Sequence, residues 1–283
     1  MRFASFEVVD RSSYGVVTVD GIREASPAFR DRYRNLRAVL GAGALEHLAA
    51  DTGGEVFAES DLRFLPAIPD PDKILCVGVN YRPHAEEMGR ELPSHPVIFT
   101  RFAGSLVGHG QAVIRPRASE QFDFEGELAV IIGKPARHVD RGDAMEYVAG
   151  FSCFLDGSVR DWQRHTMQFT PGKNFEQSGA LGPWLVTRDE VVELPEISLT
   201  TIVSGELMQT GRIDDLIFDV PSLIEYISTF TRLLPGDVIA TGTPGGVGAA
   251  RNPPRWLRAG DTVEVELGPV GRLENSVCDE AES

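Results

Sequence analysis

Short strand-type segments constrain the fold of this chain more than any other feature of its sequence. A continuous apolar run, KILCVGVN, is typical of a strand that is buried on both faces. Similar segments follow it, among them PVIFTRF, GELAVIIG, YVAGFSCFLDG, ISLTTIVSG, DVIATGT and TVEVELG. Helical patterns between them are few, which argues against regular alternation of strands and helices. The sequence therefore predicts an α+β fold that is predominantly β, rolled up with peripheral helices.

The first part of the chain has a different pattern. The segments FEVVD and SYGVVTVDG alternate like two strands, with Asp20-Gly21 as a turn signal. Two helical patterns, PAFRDRYRNLRAVLG and GALEHLAADTGG, come next, and a proline-rich connector, LRFLPAIPDPDK, follows them. We therefore predict a small α/β N-terminal domain over residues 1–66 and a larger domain over residues 70–278.

The charge of the chain excludes some classes of partner. Its net charge is −15, with 27 Lys and Arg against 42 Asp and Glu. Nucleic acid and anionic membranes need a basic face, so neither is an expected partner. No apolar run approaches the ~18 residues of a membrane helix. The three cysteines are scattered and no signal peptide is visible, so we expect a cytoplasmic protein with reduced thiols.

Two acids in the segment DFEGELAVIIG are the first candidates for chemistry. Glu125 and Glu127 are two residues apart, so on a strand they point the same way. Like charges on one face repel, and a hard divalent cation such as Mg²⁺ would relieve that repulsion. A solvated outer face is the other interpretation of this pair. Asp156, which ends the apolar segment FSCFLDG, could be a third oxygen ligand or could enter a turn.

Three further segments carry candidate groups. In GVNYRPHAEEMG, His84 and Glu87 share a helical face, as a general base and its orienting carboxylate would, although such pairs also occur on ordinary surfaces. Lys173 lies in a long loop, where it is either solvated or able to stabilise an enolate. In TGTPGGVG, Thr243 either contacts a ligand or belongs to a purely structural turn.

The order of five segments resembles that of the fumarylacetoacetate hydrolase family. They are GVNYRPHAEE, DFEGELAVIIG, FLDGSVRDWQ, GKNF followed by LGPW, and TGTPGGVG, and the match extends from about Lys73 to Leu267. The resemblance implies a mixed β-roll catalytic domain with a small N-terminal domain, usually in a homodimer. It also implies that Glu125, Glu127 and Asp156 hold Mg²⁺ or Mn²⁺.

Catalytic roles come with the resemblance. His84 and Glu87 match a dyad that activates water, on a lid that orders when ligand binds. Lys173 matches a lysine that stabilises the charged intermediate.

Substrate contacts are implied as well. Arg160 and Gln163 match the R-D-x-Q segment near the site, and Thr243 matches a threonine that contacts a substrate carboxylate. Many family members carry a lysine–proline pair where this chain has Arg101-Phe102. We expect Arg101, together with Arg82 near the lid, to contact the far end of the substrate.

The family contains several activities, so the reaction must be chosen among them. We predict a metal-dependent hydrolase that cleaves a carbon–carbon bond in an acylpyruvate-like 2,4-dioxo acid, in the catabolism of aromatic compounds. The alternative is a decarboxylase acting on a β-oxo acid such as oxaloacetate, or a 2-oxo acid hydratase or isomerase. All of them require stabilisation of an enolate. A protein that binds metal without turnover is disfavoured, because binding alone requires no base.

Overall fold

The computed structural model describes residues 1–82 and 92–281. Strands account for most of the regular structure in these two ranges. In chain order they are β1 (Arg2–Val8), β2 (Arg11–Thr18), β3 (Gly21–Glu24), β4 (Val56–Phe57), β5 (Arg63–Phe64), β6 (Ile74–Gly78), β7 (Val97–Arg101), β8 (Leu106–Val107), β9 (Val113–Arg115), β10 (Phe122–Asp123), β11 (Gly126–Ile132), β12 (Val148–Leu155), β13 (Ser158–Val159), β14 (Gly179–Thr187), β15 (Ser198–Val203), β16 (Glu206–Arg212), β17 (Val238–Ala240), β18 (Thr262–Leu267) and β19 (Gly271–Asp279).

The α-helices of the same ranges are short. They are α1 (Pro27–Arg32), α2 (Leu36–Gly41), α3 (Leu45–Ala50), α4 (Arg160–Gln163), α5 (Thr170–Lys173) and α6 (Val220–Phe230). The predicted first helix is two helices, because the Asn35 side chain accepts from the amide of Ala38 and begins α2 there. None of the described helices has the length and apolar character that a membrane span requires.

Most of the strands belong to two sheets. Within the described residues, a 12-stranded sheet has the order β4-β3-β2-β1-β14-β12-β11-β17-β6-β7, with β5 paired to β1 and β8 to β14. A five-stranded sheet has the order β16-β15-β18-β19-β9. Most neighbours are antiparallel, while the pairs β17–β6, β14–β8 and β19–β9 are parallel. The predicted class is confirmed: the fold is α+β, predominantly β.

Strand β11 is buried on both faces, which explains its unbroken apolar sequence. Leu128 and Val130 pack in a core that contains residues of β18, β19 and α6. Ala129 and Ile131 pack on the other side, in a core that contains Leu36 of the N-terminal region. Because β1 also pairs with β14, the N-terminal residues extend the main sheet. The domain boundary between residues 66 and 70 stays a prediction.

Candidate metal and substrate site

Pairing of β11 with β12 brings the three acids together. The strands are antiparallel, with Glu127 opposite Phe154 and Gly126 opposite Leu155. Glu125 and Asp156 are the next residues outward, and the Asp156 amide donates to the Glu125 carbonyl at 2.8 Å. Each of the three acids offers a carboxylate oxygen, and these oxygens lie within 4.8 Å of one another. The carboxylates are buried, so the interpretation of a solvated outer face does not fit this structure.

The glycine-rich loop lies alongside the acids because β17 pairs with β11. The Thr241 amide continues the pairing by donating to the Leu128 carbonyl at 3.0 Å. One residue further, the Gly242 amide donates to Glu127 Oε2 at 2.9 Å. Gly242 has φ +103°, and a Cβ there would lie 2.8 Å from the Asn80 Cβ, so glycine suits this position. The loop therefore contacts the acids through its backbone.

Buried cations compensate part of the negative charge. The Lys173 ammonium donates to Glu125 Oε2 at 2.5 Å and to Asp156 Oδ2 at 2.6 Å. It also lies 5.0 Å from the centre of the Phe99 ring. The Arg160 guanidinium donates to Glu125 Oε1 at 2.7 Å. Lys173 is thus part of the site and not a solvated loop residue.

The two glutamates differ in their ionisation. Burial opposes ionisation of Glu125, but the Arg160 and Lys173 cations outweigh it and lower its pKa. Burial raises the pKa of Glu127 well above its ordinary value, and the neighbouring Asp156 and Glu125 charges raise it further. For Lys173, burial favours the neutral amine, but Asp156 and Glu125 raise its pKa overall, so it stays an ammonium. Glu127 is therefore the acid whose charge is least compensated.

The acids fit a divalent cation. Oxygen donors suit hard ions such as Mg²⁺ and Mn²⁺. A buried carboxylate beside two other carboxylates is unfavourable without a positive partner. Among the described residues, Glu127 receives a hydrogen bond from a backbone amide but no ion pair. The three acids are therefore placed so that they could hold one such ion.

Asp123 belongs to the site although the sequence did not single it out. It is buried and accepts from the amides of Gly248 and Ala249 at 2.8 and 3.0 Å. It also accepts from Arg160 Nε at 2.8 Å. Pairing of β10 with β13 places Asp123 opposite Ser158, two residues before Arg160. The spacing in DFEGE could have pointed to it, because Asp123 precedes Glu125 by two residues, as Glu125 precedes Glu127.

The hydroxyl proton of Thr243 is used in a hydrogen bond within the protein. Its Oγ1 donates to the Gly126 carbonyl at 2.9 Å and accepts from Gln209 Nε2 at 2.8 Å. The Gln209 orientation is fixed, because its Oε1 accepts from the Gly126 amide at 3.0 Å and its Nε2 donates to the Pro244 carbonyl at 2.9 Å. In this arrangement the Thr243 hydroxyl can accept a hydrogen bond from a ligand, but its own proton is not available to one. The expected contact with a substrate carboxylate would need another donor than this hydroxyl, and it stays a prediction.

A cavity of about 290 Å³ opens beside these groups. Predicted residues that line it are Glu125, Glu127, Arg160, Gln163, Lys173 and Thr243. Gln163 accepts from Arg160 at 2.9 Å. Arg82 is exposed and is not among the lining residues. His84 and Glu87 lie outside the described residues.

Arg101 has a different position from the one expected. It is buried, and its guanidinium donates to Asp156, to the Gly157 carbonyl and to Ser178. Ser105 accepts two further hydrogen bonds, through its side chain and its carbonyl. With its donors used in this way and no place in the cavity lining, Arg101 supports Asp156 from behind. The geometry does not support a contact with the far end of a substrate.

Most of this chain matches the sequence model of a known family. Residues 73–278 match the sequence model described as fumarylacetoacetate (FAA) hydrolase C-terminal. The chain belongs to the fumarylacetoacetate hydrolase family. The segments that carry the acids, Lys173 and the glycine-rich loop all lie inside the matched region, and the suspected resemblance is confirmed.

Relatives within the family carry more specific names. Human mitochondrial oxaloacetate tautomerase FAHD2A is 42% identical over 224 residues, which cover 78% of this chain and 71% of the relative. Oxaloacetate tautomerase YisK from Bacillus subtilis is 40% identical over 231 residues, which cover 80% and 77%. Among solved structures, fumarylacetoacetate hydrolase from Exiguobacterium antarcticum has a TM-score of 0.88 at 33% identity and covers 99% of this chain and 100% of that one. The chain is an enzyme of this family.

Proposed function

We propose that this enzyme interconverts the enol and keto forms of a 2-oxo acid of the oxaloacetate type. The observation that carries the proposal is the similarity to two oxaloacetate tautomerases, each over more than three quarters of this chain. This favours the isomerase alternative over the hydrolase that the sequence predicted first. The homodimer and the cytoplasmic location stay predictions.

Three acids are proposed to hold a divalent cation, Mg²⁺ or Mn²⁺. They are Glu125, Glu127 and Asp156, whose carboxylate oxygens lie within 4.8 Å of one another. Such a cation, when bound, supplies a Lewis acid for the oxygens of a 2-oxo acid.

Lys173 and Thr243 give the cavity the polarity that the reaction needs. An enol has a hydroxyl to donate, and the Thr243 oxygen can accept from it, since its own proton goes to the Gly126 carbonyl. The enolate has a negative oxygen instead, and the Lys173 ammonium is a buried cation beside the same cavity. A buried cation stabilises such a charge more strongly than a solvated one does.

Proton transfer at carbon needs a separate group. We assign it to His84, oriented by Glu87, on the strength of the motif; both residues lie outside the described ones. Tautomerisation takes one proton from the enol oxygen and adds one to the neighbouring carbon. No carbon–carbon bond breaks and no water attacks.

The test is a direct assay of enol loss. Purified protein with Mg²⁺ would be mixed with oxaloacetate enriched in its enol, and loss of the enol absorbance followed against buffer alone. We expect enzyme-dependent acceleration that Lys173→Met reduces at least about 100-fold. Lys134→Met is the matched control, because Lys134 is exposed and lies outside the cavity lining. A rate equal to that of buffer would refute the proposal.

Hydrolysis remains a second candidate because of the structural similarity to a fumarylacetoacetate hydrolase. The same protein would be incubated with acetylpyruvate, and the products separated. Release of acetate and pyruvate, without acceleration of enol loss from oxaloacetate, would establish the hydrolase in place of the tautomerase. Release of carbon dioxide from oxaloacetate would instead indicate the decarboxylase.

A further inference from the structure

Three cations of the described residues line the cavity, and they differ in their partners. Lys173 is paired with Glu125 and Asp156, and Arg160 is paired with Asp123 and Glu125. Arg164 also lines the cavity, yet its side chain has no carboxylate within salt-bridge distance in the described part of the chain. Lys173 and Arg160 are therefore ion-paired with the buried carboxylates, whereas Arg164 is available to a ligand.

Helix α4 determines where Arg164 lies. The Arg164 amide donates to the Arg160 carbonyl at 3.2 Å, which closes one helical turn between the two residues. Residues four apart share a helical face, so both arginines can reach one cavity. Arg160 is buried next to the acids, whereas Arg164 is exposed. Arg160 therefore marks the deep end of the cavity, and Arg164 marks its mouth.

The charge of the site indicates how many negative charges a ligand should carry. Around the cavity, the described residues include four buried carboxylates, those of Asp123, Glu125, Glu127 and Asp156. They also include the three buried cations of Arg101, Arg160 and Lys173. Among the described residues, a divalent cation on the acids together with Arg164 leaves the ionised site with an excess of two positive charges. A dicarboxylate would neutralise them, whereas a monocarboxylate would not.

We propose that Arg164 binds the carboxylate at the far end of a dicarboxylic substrate and so selects dicarboxylates over monocarboxylates. The inference rests on the proposed function in one respect, since that function places the 2-oxo acid end of the substrate at the acids. A guanidinium suits this role because it can donate two parallel hydrogen bonds to one carboxylate. Arg164 thus takes the place that the sequence suggested for Arg101 and Arg82.

Two unreactive ligands that differ in the far carboxylate can be used to measure its interaction with Arg164. Malate and lactate share the same 2-hydroxy acid end, and malate alone has a far carboxylate. Their dissociation constants would be measured by calorimetry in saturating Mg²⁺, for the unaltered chain and for Arg164→Gln. We expect malate to bind about tenfold or more tightly than lactate, and Arg164→Gln to remove most of that ratio while leaving lactate unchanged. Arg164→Lys should restore part of it.

The control is Arg232→Gln, which makes the same change of charge at an exposed arginine outside the cavity lining. It should leave the malate-to-lactate ratio unchanged, because an exposed charge outside the cavity is screened by solvent and salt. The proposal is overturned if the unaltered chain does not prefer malate, including the case in which neither ligand binds, or if Arg164→Gln preserves the preference. Because no turnover is measured, loss of the ratio supports Arg164 even where tautomerase activity is absent.

Discussion

The guanidinium of Arg101 donates to Asp156 at 2.5 Å, and neither side chain is exposed to solvent. The same guanidinium also donates to Gly157, Ser105 and Ser178. A lysine has three donors and no planar fork, so it cannot replace these contacts. We expect Arg101→Lys to lower the free energy of unfolding by about 2 kcal/mol, and Arg101→Met, which leaves Asp156 unpaired, by about 3–5 kcal/mol. Urea denaturation measures both.

The control for Arg101 is an exposed pair. Arg63 donates to Glu7, and the Arg63 side chain is 56% exposed. Arg63→Lys should change the free energy of unfolding by less than about 1 kcal/mol. Equal losses at the two positions would show that Arg101 is no more than a surface contact.

Metal binding by Glu127 should be detectable in the melting temperature of the protein as well as in its activity. Mg²⁺ should raise the melting temperature of the unaltered chain, and chelation should abolish its activity. Without metal, Glu127→Gln should be more stable by about 1–3 kcal/mol near pH 7, because glutamine avoids the free-energy cost of either protonating this carboxylate or burying its charge beside two acids. The sign follows from its pKa, which folding raises, so that the stability of the unaltered chain falls as pH increases. With metal, Glu127→Gln should show no rise in melting temperature.

The matched change for this experiment is Glu46→Gln at an exposed glutamate. It should keep the full response to Mg²⁺. A response of Glu127→Gln equal to that of the control would remove Glu127 from the proposed ligands.

Much of this site was accessible from sequence because strand geometry is regular. Two-residue spacing predicts that Glu125 and Glu127 point the same way, and both line the cavity. The role of Asp156, as a metal ligand or as a turn residue, was ambiguous because the sequence does not show which strands pair. The antiparallel pairing of β11 and β12 is what places Asp156 beside Glu125.

The cations were harder to assign than the acids. The sequence pointed to Arg101 and not to Arg164, yet Arg101 is buried behind Asp156 and Arg164 lies exposed at the cavity. Whether an arginine is buried or faces the cavity depends on where β7 and α4 lie in the fold. The pattern of a single sequence does not determine those positions. The hydrogen-bond polarity of Thr243 was also hidden, because Gln209, which fixes it, lies on β16, a separate part of the chain.

Asp123 should affect substrate binding through Arg160 and the glycine-rich loop. Asp123→Asn removes the charge that pairs with Arg160 and replaces one acceptor with a donor facing the amides of Gly248 and Ala249. We expect a loss of about 2–4 kcal/mol in the free energy of unfolding and a raised KM for the enol. Asp161→Asn, at an acid that accepts from Ser119 and forms no ion pair with Arg160 among the described residues, should leave KM unchanged. Equal KM values for both variants would contradict the role.

His109 should make stability depend on pH. Its Nδ1 accepts from the Glu274 amide at 3.1 Å, and its ring packs edge-on against Phe64. Burial lowers its pKa below the usual value, although Glu274 opposes the shift. The neutral ring is therefore favoured by folding, and its contribution is fully present above about pH 6.5 and is lost as pH falls through the folded pKa. Unfolding free energy between pH 7 and 5 should decline less steeply in His109→Gln, whereas His47→Gln, at an exposed histidine, should keep the original slope.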